Sequence, residues 1–172
     1  MPSLAPARSR AVVLLAVVAL SGCGVYTFSG ASLPEGLRTV AVPLAETRAA
    51  GGPPALDQTL TDALVERFAD RSRLRLEPDE EAADAVVRAT VERYSVAPAA
   101  VTGDNLAALN RVTLAVRVVV TDRVAGRDLL DRTFQATEDF APADGLVGEA
   151  AAVEVALEQV ARDAFTAATS DW

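Results

Sequence analysis

The sequence predicts an α+β domain: a two-layer sandwich with two amphipathic helices on one face of a four- to five-stranded, mostly antiparallel sheet. Three observations carry this. Arg111–Asp122 (RVTLAVRVVVTD) puts Val112, Leu114, Val116, Val118 and Val120 on one face, with Arg111, Thr113, Arg117 and Thr121 mostly on the other, which is the period of a half-buried strand. Leu56, Leu60, Leu64 and Phe68 recur every fourth residue, which lines one side of a helix. A second helical pattern closes the chain, and the elements read in the order β-α-β-β-β-β-α.

The first strand is Arg38–Leu44 (RTVAVPL), where Val40 and Val42 alternate and Pro43 favours an end or an edge. Ala49–Pro54 is a Gly- and Pro-rich loop, and the first helix follows over Ala55–Asp70. Leu74–Glu77 is a short strand and Asp79–Asp84 an acidic turn. Ala85–Val96 is a long strand, Ala97–Asn110 a loop, and Arg111–Asp122 the strongest strand. Gly126 makes Arg123–Arg127 a hairpin turn, so Asp128–Thr137 returns as the partner strand. After the loop Phe140–Gly145, the last helix runs Leu146–Ala168, with a stripe of Leu146, Ala150, Val153, Leu157, Val160, Ala161, Ala164, Phe165 and Ala168.

Composition excludes much chemistry. There is no histidine among the 172 residues, which removes imidazole acid/base catalysis, His-based nucleophile dyads and triads, and His-ligated metals. One cysteine, Cys23, allows neither an internal disulfide nor a thiolate cluster. A net charge of -8 argues against a nucleic-acid partner. The acidic set Glu80, Glu81 and Asp84 lacks the alternating ligands and central Gly of a calcium loop and reads as a solvated turn. Gly51-Gly52-Pro53-Pro54 lacks the Lys-Ser/Thr end of a phosphate loop. A non-enzymatic binding or assembly protein without a cofactor is expected.

Residues 1–22 read as a leader. Arg8 and Arg10 precede the apolar run Ala11–Leu20, which is the length of a signal-peptide core and about half the ~20 residues of a membrane-spanning helix. Leu20-Ser21-Gly22-Cys23 then resembles a bacterial lipobox. That resemblance implies a thioether-linked diacylglycerol on Cys23, cleavage before it, and acylation of the new amino group. Two or three acyl chains suffice for stable anchoring. Gly24 stands where an inner-membrane retention signal has Asp, which favours the periplasmic face of the outer membrane. The expected organisation is signal peptide 1–22, lipidated tether 23–36 and a single α+β domain 37–172.

Two features outlast the screen for chemistry. Ala97–Asn110 is long for a hairpin connection and carries Val101, Leu106 and Leu109 beside Thr102-Gly103-Asp104-Asn105. It is either a variable loop or a partner-binding one, in which case Val101, Asn105, Leu106 and Leu109 are the candidate contacts. Arginines also recur on the polar side of the sheet: Arg88 and Arg93 on one strand, Arg111 and Arg117 on the next. They form either an ion-paired, solvated face or a site for an anion such as a lipid phosphate.

From Cys23 to Leu44 the chain resembles the start of mature lipopolysaccharide-assembly lipoproteins, the LptE family. The resemblance rests on the lipobox Cys, the Tyr26-x-Phe28 segment, Leu33-Pro34-x-Gly36-Leu37 and the Thr39-Val40-Ala41-Val42-Pro43 strand. It continues through Leu60–Leu64, Ala83–Tyr94 and Arg111–Val120. It implies two helices against a four-stranded sheet, and a lipoprotein that sits in the lumen of a large outer-membrane β-barrel. There it helps the barrel assemble and helps place lipopolysaccharide in the outer leaflet. The loop between the long central strands approaches the barrel wall in that family, which here is Ala97–Asn110. The family's lipopolysaccharide contact is attributed to basic residues near that loop. None lies within it here, so Arg93 and Arg111 at its two ends are the candidates. The alternative is another periplasmic assembly lipoprotein, either a secretion-pore subunit or an activator of cell-wall synthases, since these share the Val-x-Pro strand and the helix after it.

Overall fold

The computed structural model describes residues 33–101 and 107–170. Cys23, Asn105, Leu106 and the leader lie outside the described residues. Strand β1 (Thr39–Ala41) is followed by the short β2 (Glu46–Thr47) and helix α1 (Leu56–Val65), whose last turn widens to a π-turn over Glu66–Asp70. Then come β3 (Arg75–Leu76), β4 (Ala85–Val101), β5 (Ala107–Asp122), β6 (Arg127–Phe140), a single 3-10 turn and α2 (Gly145–Ser170). The sheet order is β3-β1-β4-β5-β6, with β2 also on β4.

The α+β class and the two-helix roof agree with the sequence. The sheet is mostly antiparallel, as expected, through the long β4–β5 and β5–β6 ladders, but its short strands add parallel pairs: β1 runs parallel to β3 and β4, and β2 parallel to β4. The cause is the connection. A helix between β1 and β3 carries the chain back across the sheet, so the next strand enters in the same direction. β2, which the sequence reading omits, is held where Arg48 and Ala49 donate backbone N–H groups to the Val91 carbonyl at 2.9 and 3.2 Å.

One core joins both helices to the sheet. Leu56, Leu60, Leu64 and Phe68 are all buried, as their spacing predicts, and so are Val112, Leu114, Val116, Val118 and Val120. Phe68 meets Phe165 edge-on, with ring centroids 5.2 Å apart. The core reaches back to Leu33 and Leu37, and Arg73 donates to the carbonyls of Leu33 and Pro34. Thr61 stitches α1 to the chain before β2: its Oγ1 accepts from the Ala45 N–H at 2.9 Å and donates to the Asp57 carbonyl at 2.7 Å. Asp84 ties β1 to β4. Its carboxylate accepts from the Arg38 and Thr39 N–H groups at 2.8 and 3.1 Å, and the first of these bonds does most to hold its pKa below the usual carboxylate value.

Two expectations need correction. Ala97–Asn110 is mostly strand. β4 continues to Val101 and β5 begins at Ala107, with Val96 opposite Val112, Pro98 opposite Asn110 and Val101 opposite Ala107. Alanine and proline hid the alternation. Pro98 is tolerated because β4 has no second neighbour there, and the pairing shifts register between Pro98 and Ala100. The stripe of α2 also starts later than its spacing suggests. Val153, Leu157, Val160, Ala161, Ala164 and Ala168 are buried, but Leu146 is 83% exposed and Ala150 faces solvent. Leu146 and Ala150 lie one turn apart on the outward side of α2, while Gly148 and Glu149 of the same turns meet Phe140 and Tyr94 of the sheet.

Candidate interaction site at the far end of the central hairpin

Strand β4 changes character at Glu92. Up to Val91 the odd-numbered residues Val87, Ala89 and Val91 face the helices. Val91 opposes Val116 and Arg93 opposes Ala115, so Glu92 is an extra residue, a β-bulge. Beyond it the even-numbered residues turn to the helix side, beginning with Tyr94 opposite Leu114. Tyr94 donates its hydroxyl to the Glu149 carboxylate in the first turns of α2. Burial, followed by that carboxylate, pushes its phenol well above the ordinary value. The bond pins the start of α2 to the far half of β4. Gly148 lets the same turn come close, since a Cβ there would meet Asp144 at 2.5 Å and Phe140 at 3.3 Å.

This end of the molecule carries the large exposed apolar side chains Val96, Leu109, Leu146 and Val147. Leu109 opens onto a shallow groove of about 330 Å³, walled by Phe140, Ala151, Ala152 and Val155 and rimmed by Asp144. The sequence reading, which put Leu146 in the core stripe of the helix, missed this exposed apolar end, and nothing in the sequence signalled the Tyr94–Glu149 bond.

The face of the sheet away from the helices is charged and largely paired. Arg111 grips Asp139 through two bonds of 2.6 and 2.8 Å, and Arg117 grips Asp131 through two of 2.8 and 2.7 Å. These hydrogen bonds raise the guanidinium pKa values and hold both carboxyls below their usual range. Arg88 pairs with Glu80 at 2.5 Å. The ion-paired reading of the arginines therefore describes three of the four.

Arg93 is the exception: it is exposed, with no carboxylate in ion-pair range among the described residues. It does not sit beside Arg111, because Arg111 opposes Ala97 while Arg93 opposes Ala115. Four residues of strand separate the two positions, about 14 Å. Of the candidate partner contacts, Val101 ends β4 opposite Ala107, and Leu109 lies in β5 opposite Ala100 and is 37% exposed.

Among the described residues no group of acidic, His or Cys side chains is arranged to hold a metal, and no helix is long and apolar enough to cross a membrane. The geometry offers surfaces for binding: exposed apolar side chains on the far half of the hairpin and the start of α2, a paired ionic face, and Arg93, which has no carboxylate partner among the described residues.

Comparison with known structures returns the same architecture. A crystal structure of a Xanthomonas campestris protein superposes with a TM-score of 0.55 at 17% identity, covering 80% of this chain and 90% of that one. A hypothetical protein of Chlamydia trachomatis gives 0.52 at 12% identity, covering 74% and 92%. PelC of Paraburkholderia phytofirmans, crystallised as a dodecamer, gives 0.50 at 12% identity, covering 81% and 93%. At these identities the likeness is one of fold. Comparison with curated protein sequences finds no match. The LptE family, described as lipopolysaccharide-assembly, matches residues 37–168, a span from just before β1 to nearly the end of α2, and the chain belongs to that family.

Proposed function

We propose that this protein is a non-enzymatic lipoprotein, anchored through acylated Cys23 at the periplasmic face of the outer membrane. In this reading it seats the far end of the β4–β5 hairpin in the lumen of the lipopolysaccharide-translocating β-barrel and supports that barrel's assembly. Membership of a lipopolysaccharide-assembly family supports the general role. The observation that carries the finer reading is the exposure of Val96 and Leu109 on the far half of a hairpin that outruns its neighbouring strands, with Leu146 and Val147 exposed at the start of α2. Barrel lumens are polar and wet, so such side chains would serve as a few anchors within a largely hydrogen-bonded contact.

A photocrosslinker at Asn105 or Leu109, activated in intact outer membranes, tests it. The expected product is an adduct with a barrel much larger than this chain, at one copy each by native mass. A many-membered ring without a barrel would replace this reading with the secretion-pore alternative. That alternative is disfavoured by Asp131, Arg132, Glu138 and Asp139 on β6, which suit no lipid-facing strand. The anchor has its own test: Cys23→Ser should abolish fatty-acid labelling and leave the domain folded.

A further inference from the structure

Five arginines gather where the described chain begins. Arg38 precedes β1, Arg67 lies in the π-turn that ends α1, and Arg71, Arg73 and Arg75 lead into β3. The Arg75 N–H donates to the Arg38 carbonyl at 2.9 Å, which sets those two residues side by side. Arg73 donates to the carbonyls of Leu33 and Pro34, so the turn between α1 and β3 is fastened to the chain that enters the domain. The acidic residues of the same segments are Glu35, Glu66 and Asp70, with Glu77 just beyond β3.

The open face of the sheet and this corner treat arginine differently. On the face, Arg88, Arg111 and Arg117 each hold a carboxylate. In the corner only Arg71 does, donating twice to Glu66 at 2.9 and 2.6 Å. The partners of Arg73 are uncharged carbonyls, and Arg38, Arg67 and Arg75 have no carboxylate in ion-pair range among the described residues. The nearby Asp84 carboxylate is taken up by the backbone N–H groups of Arg38 and Thr39. Arg38, Arg71, Arg73 and Arg75 are exposed, and Leu76 next to them is 49% exposed. A set of guanidinium groups without ion pairs thus stands on a chain whose net charge is -8.

We propose that this corner rests on the phosphates of anionic phospholipids in the leaflet that holds the acylated Cys23. Ten residues carry the chain from Cys23 to Leu33, a span of at most about 35 Å, so an anchor in the bilayer keeps these arginines within reach of its headgroups. Guanidinium groups match phosphate oxygens through paired N–H bonds, and Leu76 beside them suits the boundary between headgroups and acyl chains. Acyl chains alone leave the domain free to swivel, whereas a basic patch beside them fixes which end faces the membrane. The inference rests on the acylated anchor and not on the barrel contact. β4 starts at this end, with Ala85 opposite Val40, and reaches Val101 about 50 Å away. One chain can therefore hold the surface with this corner and present the hairpin tip to the barrel.

The test uses the lipidated full-length chain reconstituted into phosphatidylethanolamine vesicles with or without phosphatidylglycerol. Gly36→Cys carries an environment-sensitive fluorophore. A Cβ at Gly36 meets nothing within 4 Å, and the thioether on Cys23 leaves the new thiol the only free one. The emission should shift to the blue with phosphatidylglycerol and not without it, and the shift should vanish at ~1 M salt, where screening acts over about 3 Å. Arg38→Gln with Arg75→Gln should lower the docked-to-undocked ratio about 25-fold, roughly fivefold for each arginine near an anionic surface. Arg71→Gln should lower it less, because Glu66 already meets that charge. These side chains are exposed, and unchanged melting temperatures would confirm that the variants fold. An equal shift on both vesicles, or an unchanged ratio in the double variant, overturns the proposal. A shift only on vesicles containing lipopolysaccharide also overturns it, because the phosphates would then come from the other leaflet. Fatty-acid labelling of the same protein reports the anchor separately. A labelled chain whose probe ignores phosphatidylglycerol overturns this inference alone, and an unlabelled chain overturns the anchor and this inference with it.

Discussion

The two halves of β4 share a strand but not a role. Its first half, Ala85–Val91, lies between β1 and β2 on one side and β5 on the other, and Val87 and Val91 are wholly buried. Its second half, Arg93–Val101, has β5 alone, and Val96 is 38% exposed. Directly across from Val96, Val112 on β5 is fully buried, so the difference is not one of depth along the hairpin. It follows from the roof. α2 overlies β5 and β6, α1 overlies the first half of β4, and neither helix extends over the second half beyond Tyr94. The bulge at Glu92 marks the boundary. The lesson is that one half of this strand is held by the fold, and the other is presented by it.

The strongest way to break that comparison is to truncate one side chain on each side of the boundary. Leu64→Ala removes a fully buried side chain of α1 in the core it shares with Val87 and Val91. It should cost about 2–5 kcal/mol in denaturant unfolding. Val96→Ala in the presented half should stay within about 0.5 kcal/mol. A large loss at Val96 would mean that the far half is part of the core.

A smaller effect is expected at the boundary. Tyr94→Phe removes a partly buried hydroxyl bonded to Glu149 and should cost about 1 kcal/mol. Because the folded phenol has a raised pKa, its contribution is complete below the unfolded value of about 10 and is lost as pH rises through the folded value. Wild type and Tyr94→Phe should therefore differ in stability at pH 7 and converge under strong alkali. A constant difference across that range would remove the phenol's charge from the explanation. Replacing residues 102–106 by a two-residue turn should change stability less still, since closure entropy varies slowly with loop length, while reducing capture of the barrel. An intact complex after that replacement would show that the tip is not the contact.

The sequence makes the held half legible and the presented half nearly illegible, for one physical reason. Burial imposes a period, so the sequence alone assigns Leu56 to Phe68 and Val112 to Val120 to faces. Where burial stops, Ala97, Pro98, Ala99 and Ala100 obey no period, and a strand looks like a loop. The break itself was present in the letters: apolar residues fall on Val87, Ala89 and Val91, then on Tyr94 and Val96, a change of parity that only an extra residue permits. The parallel pairing of β1, β2 and β3 could not be read, because strands of two or three residues carry too little pattern to fix a neighbour. The arginines were legible as a set on one face, but their partners were not, since Asp131 and Asp139 come from a strand whose register depends on the irregularity between Val120 and Thr121.

The smallest expected effects on stability separate Arg93 from Arg111. Both are exposed, but Arg111 is engaged by Asp139 through two bonds and Arg93 by no carboxylate among the described residues. An anionic lipid phosphate gains a full charge-assisted contact from Arg93, whereas at Arg111 it must first displace a carboxylate that already matches the guanidinium fork. Arg93→Ala should therefore leave the melting temperature near wild type and lower association with lipopolysaccharide vesicles, with the loss shrinking as salt rises. Arg111→Ala should lower that association less. Asp139→Asn should raise it, because the substitution releases Arg111. The Asp139 carboxyl has a lowered folded pKa, so its stabilising pair is present above about pH 4 and is lost as pH falls through the folded value. Acidification should then imitate Asp139→Asn and strengthen association through Arg111. If Arg93→Ala and Arg111→Ala weaken association equally, and Asp139→Asn changes nothing, the ion pair does not govern which arginine meets the phosphate. If none of the three changes it, the paired face takes no part in lipid handling, and the contribution of this chain is confined to the barrel.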